Sequence, residues 1–246
     1  MIKLSPRLAC AVPYVRPGRL LADVGTDHAY LPIYLCQAGI LTPVTAKNGQ
    51  LLSAVASDIN KGPVERADLH IASAGLTSHI HTVCTDGLHG LQAYAPQDII
   101  IFGMGGELIL SILQAAPWLR EEGTRLILQP MTHPEKLREG LWKMGFALVG
   151  ETLCQEGERI YQILCADYAP HRAAPPPSPA HALTGSLYPP DQAPLHQKLI
   201  QKVITKENAC RIARRQAGQD TSVEDAVLAS LDELLQAIMH ISGGTS

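Results

Sequence analysis

Four carboxylates and a run of glycines stand where chemistry can be done. Asp23 and Asp27 bracket Gly25 in the stretch Leu20-Leu21-Ala22-Asp23-Val24-Gly25-Thr26-Asp27-His28-Ala29-Tyr30-Leu31-Pro32. Asp58 closes the run Ala54-Val55-Ala56-Ser57, Asp86 precedes Gly87, and Phe102 leads into Gly103-Met104-Gly105-Gly106. An apolar run, a glycine and then a helical pattern make a strand, a turn and a helix, the unit with which a doubly wound sheet holds a nucleotide-like ligand. A dinucleotide fingerprint needs three glycines as G-x-G-x-x-G. The first turn has Gly25 alone, so the cradle for a pyrophosphate is missing. A ligand with adenosine but no pyrophosphate fits better, S-adenosylmethionine above all, its ammonium held by Asp23 and Asp27 directly or through water. Taken alone, the stretch is equally an ordinary strand, turn and helix with surface acids.

The other acids follow the same logic. An acid at the tip of a second strand accepts hydrogen bonds from ribose hydroxyls. Asp58, followed by Ile59 and Asn60, is in that position, 33 residues after Gly25. About 20 is usual for this role, and a loop over residues 42–53 accounts for the excess. Asp58 can equally cap the next helix. Asp86-Gly87 at the tip of a third strand can take an adenine amino group or form a plain turn. Gly103, Met104 and Gly105 end the fourth strand. There glycines let backbone approach a ligand or turn tightly.

The elements that must position these residues read in order. Residues 1–15 form an amphipathic helix, with Arg7 facing solvent. Strands are predicted at the opening run, 54–58, 79–85, 98–102 and 124–128, alternating with helices over 31–39, 60–74, 107–116 and 134–145. Residues 146–154 and 159–166 make a closing hairpin. The order implies an α/β fold, a seven-stranded Rossmann-like sheet over residues 1–168; with S-adenosylmethionine as the ligand expected, it would be a class I methyltransferase domain. Residues 169–194 hold eight prolines and read as a semi-rigid linker. Residues 195–246 carry two helices paired like a coiled coil, with Val223, Val227, Leu231, Leu234, Ile238 and Ile241 along the second seam. The first helix bears Lys198, Lys202, Lys206, Arg211, Arg214 and Arg215; the second is acidic. Either the two neutralise each other, or the basic stripe tracks phosphates.

Composition narrows the classes. The 246 residues are 46% hydrophobic with a formal charge of −3, so no global basic signal marks a nucleic-acid binder. Six cysteines are dispersed without a C-x-x-C pair, which argues against a metal site or disulfide framework and for the cytoplasm. The longest apolar region, 99–119, is interrupted by glycines, Glu107 and Pro117, and no membrane partner is expected.

Taken together, the motifs resemble those of the bacterial tRNA (adenine-22-N1)-methyltransferases, the TrmK family. The resemblance is carried by Asp23-Val-Gly-Thr-Asp27-His-Ala-Tyr-Leu-Pro32, Asn60-Lys-Gly62-Pro63, Asp86-Gly87-Leu88, Gly103-Met-Gly-Gly106-Glu-Leu-Ile109, Leu126-Ile-Leu-Gln129-Pro130 and Glu158-Arg-Ile-Tyr161. It covers roughly residues 1–166. The chain departs from the pattern with Asp58 where Glu is expected, a longer loop at 42–53, Met131 where Asn is expected, and an unusually proline-rich linker.

What the resemblance implies is methyl transfer from S-adenosylmethionine to N1 of adenine in tRNA. Asp27 would act near the reacting groups, with His28 and Tyr30 shaping the methyl end. Asp58 would take the ribose and Asp86 the adenine amino group. Gly103 to Gly106 would floor the methionine part and the target base, and the helical pair would hold tRNA. Two other readings stay open: a methyltransferase for a small molecule, with the helical pair making a dimer, and a non-catalytic binding module that keeps the fold. The sequence leaves oligomeric state open.

Overall fold

The computed structural model describes residues 2–243, with side chains through His240. In chain order the elements are α1 Pro6–Ala9, β1 Leu21–Val24, α2 Tyr30–Gln37, β2 Val44–Thr45, β3 Leu51–Leu52, β4 Ala54–Asp58, α3 Lys61–Ser73, β5 Ile80–Cys84, β6 Asp98–Met104 and α4 Gly106–Gln114. There follow β7 Arg125–Pro130, α5 Pro134–Lys143, β8 Phe146–Glu156, β9 Arg159–Tyr168, α6 Pro179–Thr184, α7 Ala193–Gln216 and α8 Ser222–Gly243.

Seven strands form one sheet in the order β5-β4-β1-β6-β7-β9-β8. The first five lie parallel, and β9 joins β7 antiparallel and turns back into β8. This is the expected class I methyltransferase arrangement. Its parallel strands are continuous apolar runs because both faces are covered. Alternate residues feed two cores. Ala22, Val24, Ile99 and Ile101 pack with Ile109 and Leu113 of α4 and Leu137 and Leu141 of α5. Leu21, Ala54, Ala56 and Ile100 pack with Leu31 and Leu35 of α2 and Ala67 and Ile71 of α3.

Four local expectations are corrected. The N-terminal segment is not one helix: α1 spans four residues and a 3-10 turn covers Val12–Tyr14. Pro13 has no amide to continue an α-helix. The loop over 42–53 contains a two-stranded ribbon, β2 with β3, closed by Asn48-Gly49. The stretch expected to be a linker contains α6, capped by Ser178 with Pro179 in its first turn. Along α8, Val223 is 69% exposed, outside the seam, and Leu228 is buried with Leu231 against Ile200 and Ile204 of α7 and Ala180 of α6. The Ile241 side chain, also expected in the seam, lies outside the described residues. No helix among the described residues is long and apolar enough to cross a membrane.

A buried polar knot fastens the 169–194 segment to the sheet. Arg138 of α5 and Glu151 of β8 are 2% and 1% exposed and pair at 2.6 Å. Arg138 also donates to Gln162 Oε1 and to the Ala182 carbonyl. Glu151 accepts from the amides of Ser186 and Leu187. Burial alone would raise the Glu151 carboxyl, but the Arg138 charge and the two amides win and hold it below the usual range.

Candidate active site

The strand order places β1 between β4 and β6. Successive strands are added outward to opposite sides of β1, so a crevice opens beyond the carboxyl ends of these strands. The tips of β1, β4, β5 and β6 carry Gly25, Asp58, Asp86 and Gly103, in that order along the chain.

The first turn is fixed by backbone. Gly25 and Thr26 donate to the Ser57 carbonyl at 2.8 and 2.9 Å. Gly25 has φ +78, and a Cβ there would lie 2.3 Å from the Met104 methyl. The positive φ requires glycine, and any larger residue would also displace the Met104 methyl. Thr26 Oγ1 accepts from the amide of Ala29, which adopts φ 53 and opens α2. Thr26 also hydrogen-bonds Asp23. Burial pushes the Asp23 carboxyl up to about 6, with the Thr26 bond pulling the other way. A carboxylate raised by desolvation gains from any cation brought beside it.

Asp23, Gly25, Thr26, Asp27, His28 and Tyr30 share an open cleft of about 220 Å³ with Arg7 and Phe102. Asp27 lies at its exposed rim. Its carboxylate takes Arg66 Nη2 at 2.6 Å and His28 Nε2 at 3.0 Å. The Arg66 hydrogen bond, set against a small desolvation cost, holds it below the usual carboxylate range. His28 and Tyr30 stack at 4.9 Å, and His70 of α3 lies 5.0 and 5.2 Å from them.

At the tip of β4, Asp58 Oδ1 accepts the Asn60 amide at 2.7 Å, and the Asn60 side chain makes no cap bond to α3. Ile59 is 59% exposed beside it. Asp86 is exposed where β5 ends, and Gly87 follows with φ +54, close against Ile112 of α4. Asp86, Gly87, Leu88, Leu108 and Ile112 border a second hollow of about 390 Å³.

The fourth-strand turn is laced to the end of β7. Gly103, at φ +79, donates to Gln129 Oε1 at 3.1 Å. Met131 N–H meets the Met104 carbonyl at 2.8 Å, and Gly106 N–H the Thr132 carbonyl at 2.7 Å. A Cβ on Gly106 would sit 2.4 Å from the His133 carbonyl oxygen, so a larger residue would push this turn off β7. Gly105 has only the Thr132 hydroxyl at 3.1 Å. Gln129 itself is fully buried. Met131, the departure from the family pattern, puts its sulfur 3.5 Å from Gln129 Nε2.

Sequence reasoning missed Arg7, expected to face solvent. It lines the cleft, its Nη1 donates to Gln129 Oε1 at 3.2 Å, and its guanidinium lies 5.3 Å over the Tyr161 ring. Gln129 was visible as a polar residue ending an apolar strand; nothing local marked Arg7.

The basic residues of α7 do not behave alike. Arg211 pairs with Asp225 at 3.0 Å and Arg214 with Glu224 at 3.4 Å, both across to α8. Lys202 donates to the Glu158 carbonyl on the hairpin. Lys206 is 3.9 Å from Glu207. Lys198 and Arg215 are exposed. Mutual neutralisation of the helices therefore uses Arg211 and Arg214, while the lysines stand apart from α8. No group of His, Cys, Asp and Glu suited to a metal ion occurs among the described residues.

Comparison with known proteins agrees with this geometry. A family model described as a methyltransferase domain matches residues 4–164. The tRNA (adenine(22)-N(1))-methyltransferase of Bacillus subtilis (strain 168) is 36% identical over 173 residues, 70% of this chain and 68% of that protein. The crystal structure of the Bacillus subtilis m1A22 tRNA methyltransferase TrmK superposes with a TM-score of 0.75 at 29% identity, covering 98% of this chain and 99% of that one. The Streptococcus pneumoniae protein Sp1610, in complex with S-adenosyl-L-methionine, gives 0.75 at 27%, covering 95% and 100%.

Proposed function

Because the chain belongs to the tRNA (adenine(22)-N(1))-methyltransferase family, we propose that it transfers a methyl group from S-adenosylmethionine to N1 of adenine 22 in tRNA. The observation that carries the reading is Asp23. It is a carboxyl raised to about 6 by burial, in a cleft at the switch point of the sheet. Such a group suits a ligand that brings its own cation. The Gly25 turn and the Gly103–Gly106 turn leave backbone, not side chains, at the two walls.

The fit of the residues to the cofactor is chemical. Asp23 would take the ammonium of the methionine end, Asp58 the ribose hydroxyls and Asp86 the adenine amino group, with Ile59 offering an apolar face. When bound, S-adenosylmethionine supplies a sulfonium methyl. The N1 lone pair of adenine forms the new bond to carbon, and the carbon–sulfur pair stays on sulfur. Neutral N1 has a free lone pair, so no general base is needed. Positioning two reactants can supply on the order of 7–11 kcal/mol at best. The product ring is cationic, and we assign Asp27 at the rim, a carboxylate shared with Arg66 and His28, to face it. We assign His28 and Tyr30, stacked against His70, to the wall met by the incoming base. N1 lies on the pairing edge, so the target adenine must be unpaired or flipped out.

We assign methyl transfer to residues 1–168, and tRNA holding to the helical pair over 195–246, joined through 169–194. The exposed lysines of α7 support the second assignment. With tRNA as partner, the cytoplasm is the compartment proposed. Calorimetric titration with S-adenosylmethionine, followed by transfer of labelled methyl to unmodified tRNA transcripts, tests the reading. Binding with transfer to tRNA is expected. Binding without transfer to any tRNA would favour a small-molecule substrate, and absence of binding a non-catalytic module.

A further inference from the structure

We propose that the Thr132 hydroxyl takes the exocyclic amino group of the target adenine and so turns N1 of that base toward the methyl group. The inference rests on the activity proposed above and names a residue that orients the second reactant. The cofactor assignment uses Asp23, Asp58 and Asp86 at the tips of β1, β4 and β5. In the order β5-β4-β1-β6-β7, the tips of β6 and β7 are left for the base, which must meet the methyl end from that side.

Those two tips are locked together. Met131 N–H donates to the Met104 carbonyl at 2.8 Å, and Gly106 N–H to the Thr132 carbonyl at 2.7 Å. His133 is held at φ 51, a conformation that a non-glycine residue keeps only where its surroundings over-determine it. The turn so fixed presents the exposed Thr132 side chain to the Gly103–Gly106 turn. Its Oγ1 stands 3.1 Å from the position a Cβ on Gly105 would take, and the missing side chain leaves the hydroxyl uncovered. The hydroxyl makes no hydrogen bond among the described residues, while polar groups around it are spent. Gln129 Oε1 takes Gly103 N–H and Arg7 Nη1, and its Nε2 donates to the Pro130 carbonyl. Glu107 pairs with Lys136, and His133 with Glu135. An adenine amino N–H can donate to the free Thr132 oxygen while the adjacent N1 keeps its lone pair for the methyl. As N1 takes the methyl, positive charge spreads to the amino group, and its N–H becomes the stronger donor. The bond therefore tightens in the transition state, which is the condition for raising kcat and not only lowering KM.

The test pairs a deletion in the protein with a deletion in the base. Single-turnover methyl transfer is measured for the wild-type chain, Thr132→Val and Thr132→Ser, on transcripts carrying adenine or unsubstituted purine at position 22. Purine keeps N1 and lacks the amino group. Thr132→Val keeps the side-chain shape and loses the hydroxyl. It should slow transfer to the adenine transcript by about three- to tenfold, the worth of a neutral hydrogen bond. It should leave the purine transcript, and S-adenosylmethionine affinity in calorimetry, within about twofold of wild type. Thr132→Ser should restore most of the adenine rate. Equal slowing on both transcripts, or no slowing on either, would overturn the proposal. Weakened cofactor affinity in Thr132→Val would overturn it and leave Thr132 a support for the Gly103–Gly106 turn. A wild-type chain that methylates neither transcript would overturn the activity reading as well.

Discussion

Replacing Glu151 by Leu should strip the Arg138 charge of its only acidic partner among the described residues, in a site that water does not reach. The two side chains are 1% and 0% exposed and pair at 2.6 Å. In Glu151→Leu, Arg138 keeps Gln162 Oε1 and the Ala182 carbonyl as neutral acceptors, both at 2.7 Å. The amides of Ser186 and Leu187 lose their acceptor at the same time. Removing one partner of a buried pair costs about 3–5 kcal/mol. In a chain of this size each kcal/mol moves Tm by about 2–4 °C, so a fall of roughly 6–20 °C is expected. Urea unfolding followed by tryptophan fluorescence measures the loss, and limited proteolysis within 170–192 should accelerate as the segment loosens. The double variant Arg138→Met/Glu151→Leu should regain part of the stability, because it removes the stranded charge while the Ser186 and Leu187 amides stay without their acceptor. A loss below about 1 kcal/mol in the single variant, or no recovery in the double, would refute the reasoning.

Three further outcomes are expected. Burial pushes the Asp23 carboxyl up to about 6, and it holds an ammonium only when ionised, so S-adenosylmethionine affinity should drop about tenfold between pH 7.5 and pH 5. Asp23→Asn should be weak and flat with pH, and a wild-type affinity flat over that range would remove Asp23 from the ammonium site. Asp58→Ala should weaken cofactor binding by about 1.5–3 kcal/mol; unchanged calorimetry would leave Asp58 as a loop anchor for Asn60. Neutralising Lys198, Lys202 and Lys206 should lower tRNA binding and reduce its salt slope by up to about three phosphate contacts. Lys202 should contribute least because it already reaches the Glu158 carbonyl, and an unchanged slope would make the helical pair structural.

The sheet was legible because its parallel strands are short apolar runs that end in turns, and both cores follow from their alternation. The acids at the strand tips were legible for the same reason: strand order brings the tips together. Arg7 was not, because reading residues 1–15 as one amphipathic helix ignored Pro13, and the broken chain aims Arg7 into the cleft. The strap over 169–194 was hidden by its prolines. Composition suggested a spacer, yet Ser178-Pro179 is a helix-start signal, and the segment supplies partners to Arg138 and Glu151. Sequence alone does not show that a truncation at 169 would open that pair to solvent. The small ribbon closed by Asn48-Gly49 had a turn signal but strands of only two residues, too short to show a period.

The central claim is methylation at one atom of one base. The most direct measurement incubates the chain with labelled S-adenosylmethionine and two tRNA transcripts, one with adenine and one with guanine at position 22, followed by nucleoside analysis and mapping of the modified site. The account predicts 1-methyladenosine at position 22 of the first transcript and no label in the second. Label elsewhere in the tRNA, equal labelling of both transcripts, or cofactor binding with no label in either, would contradict it.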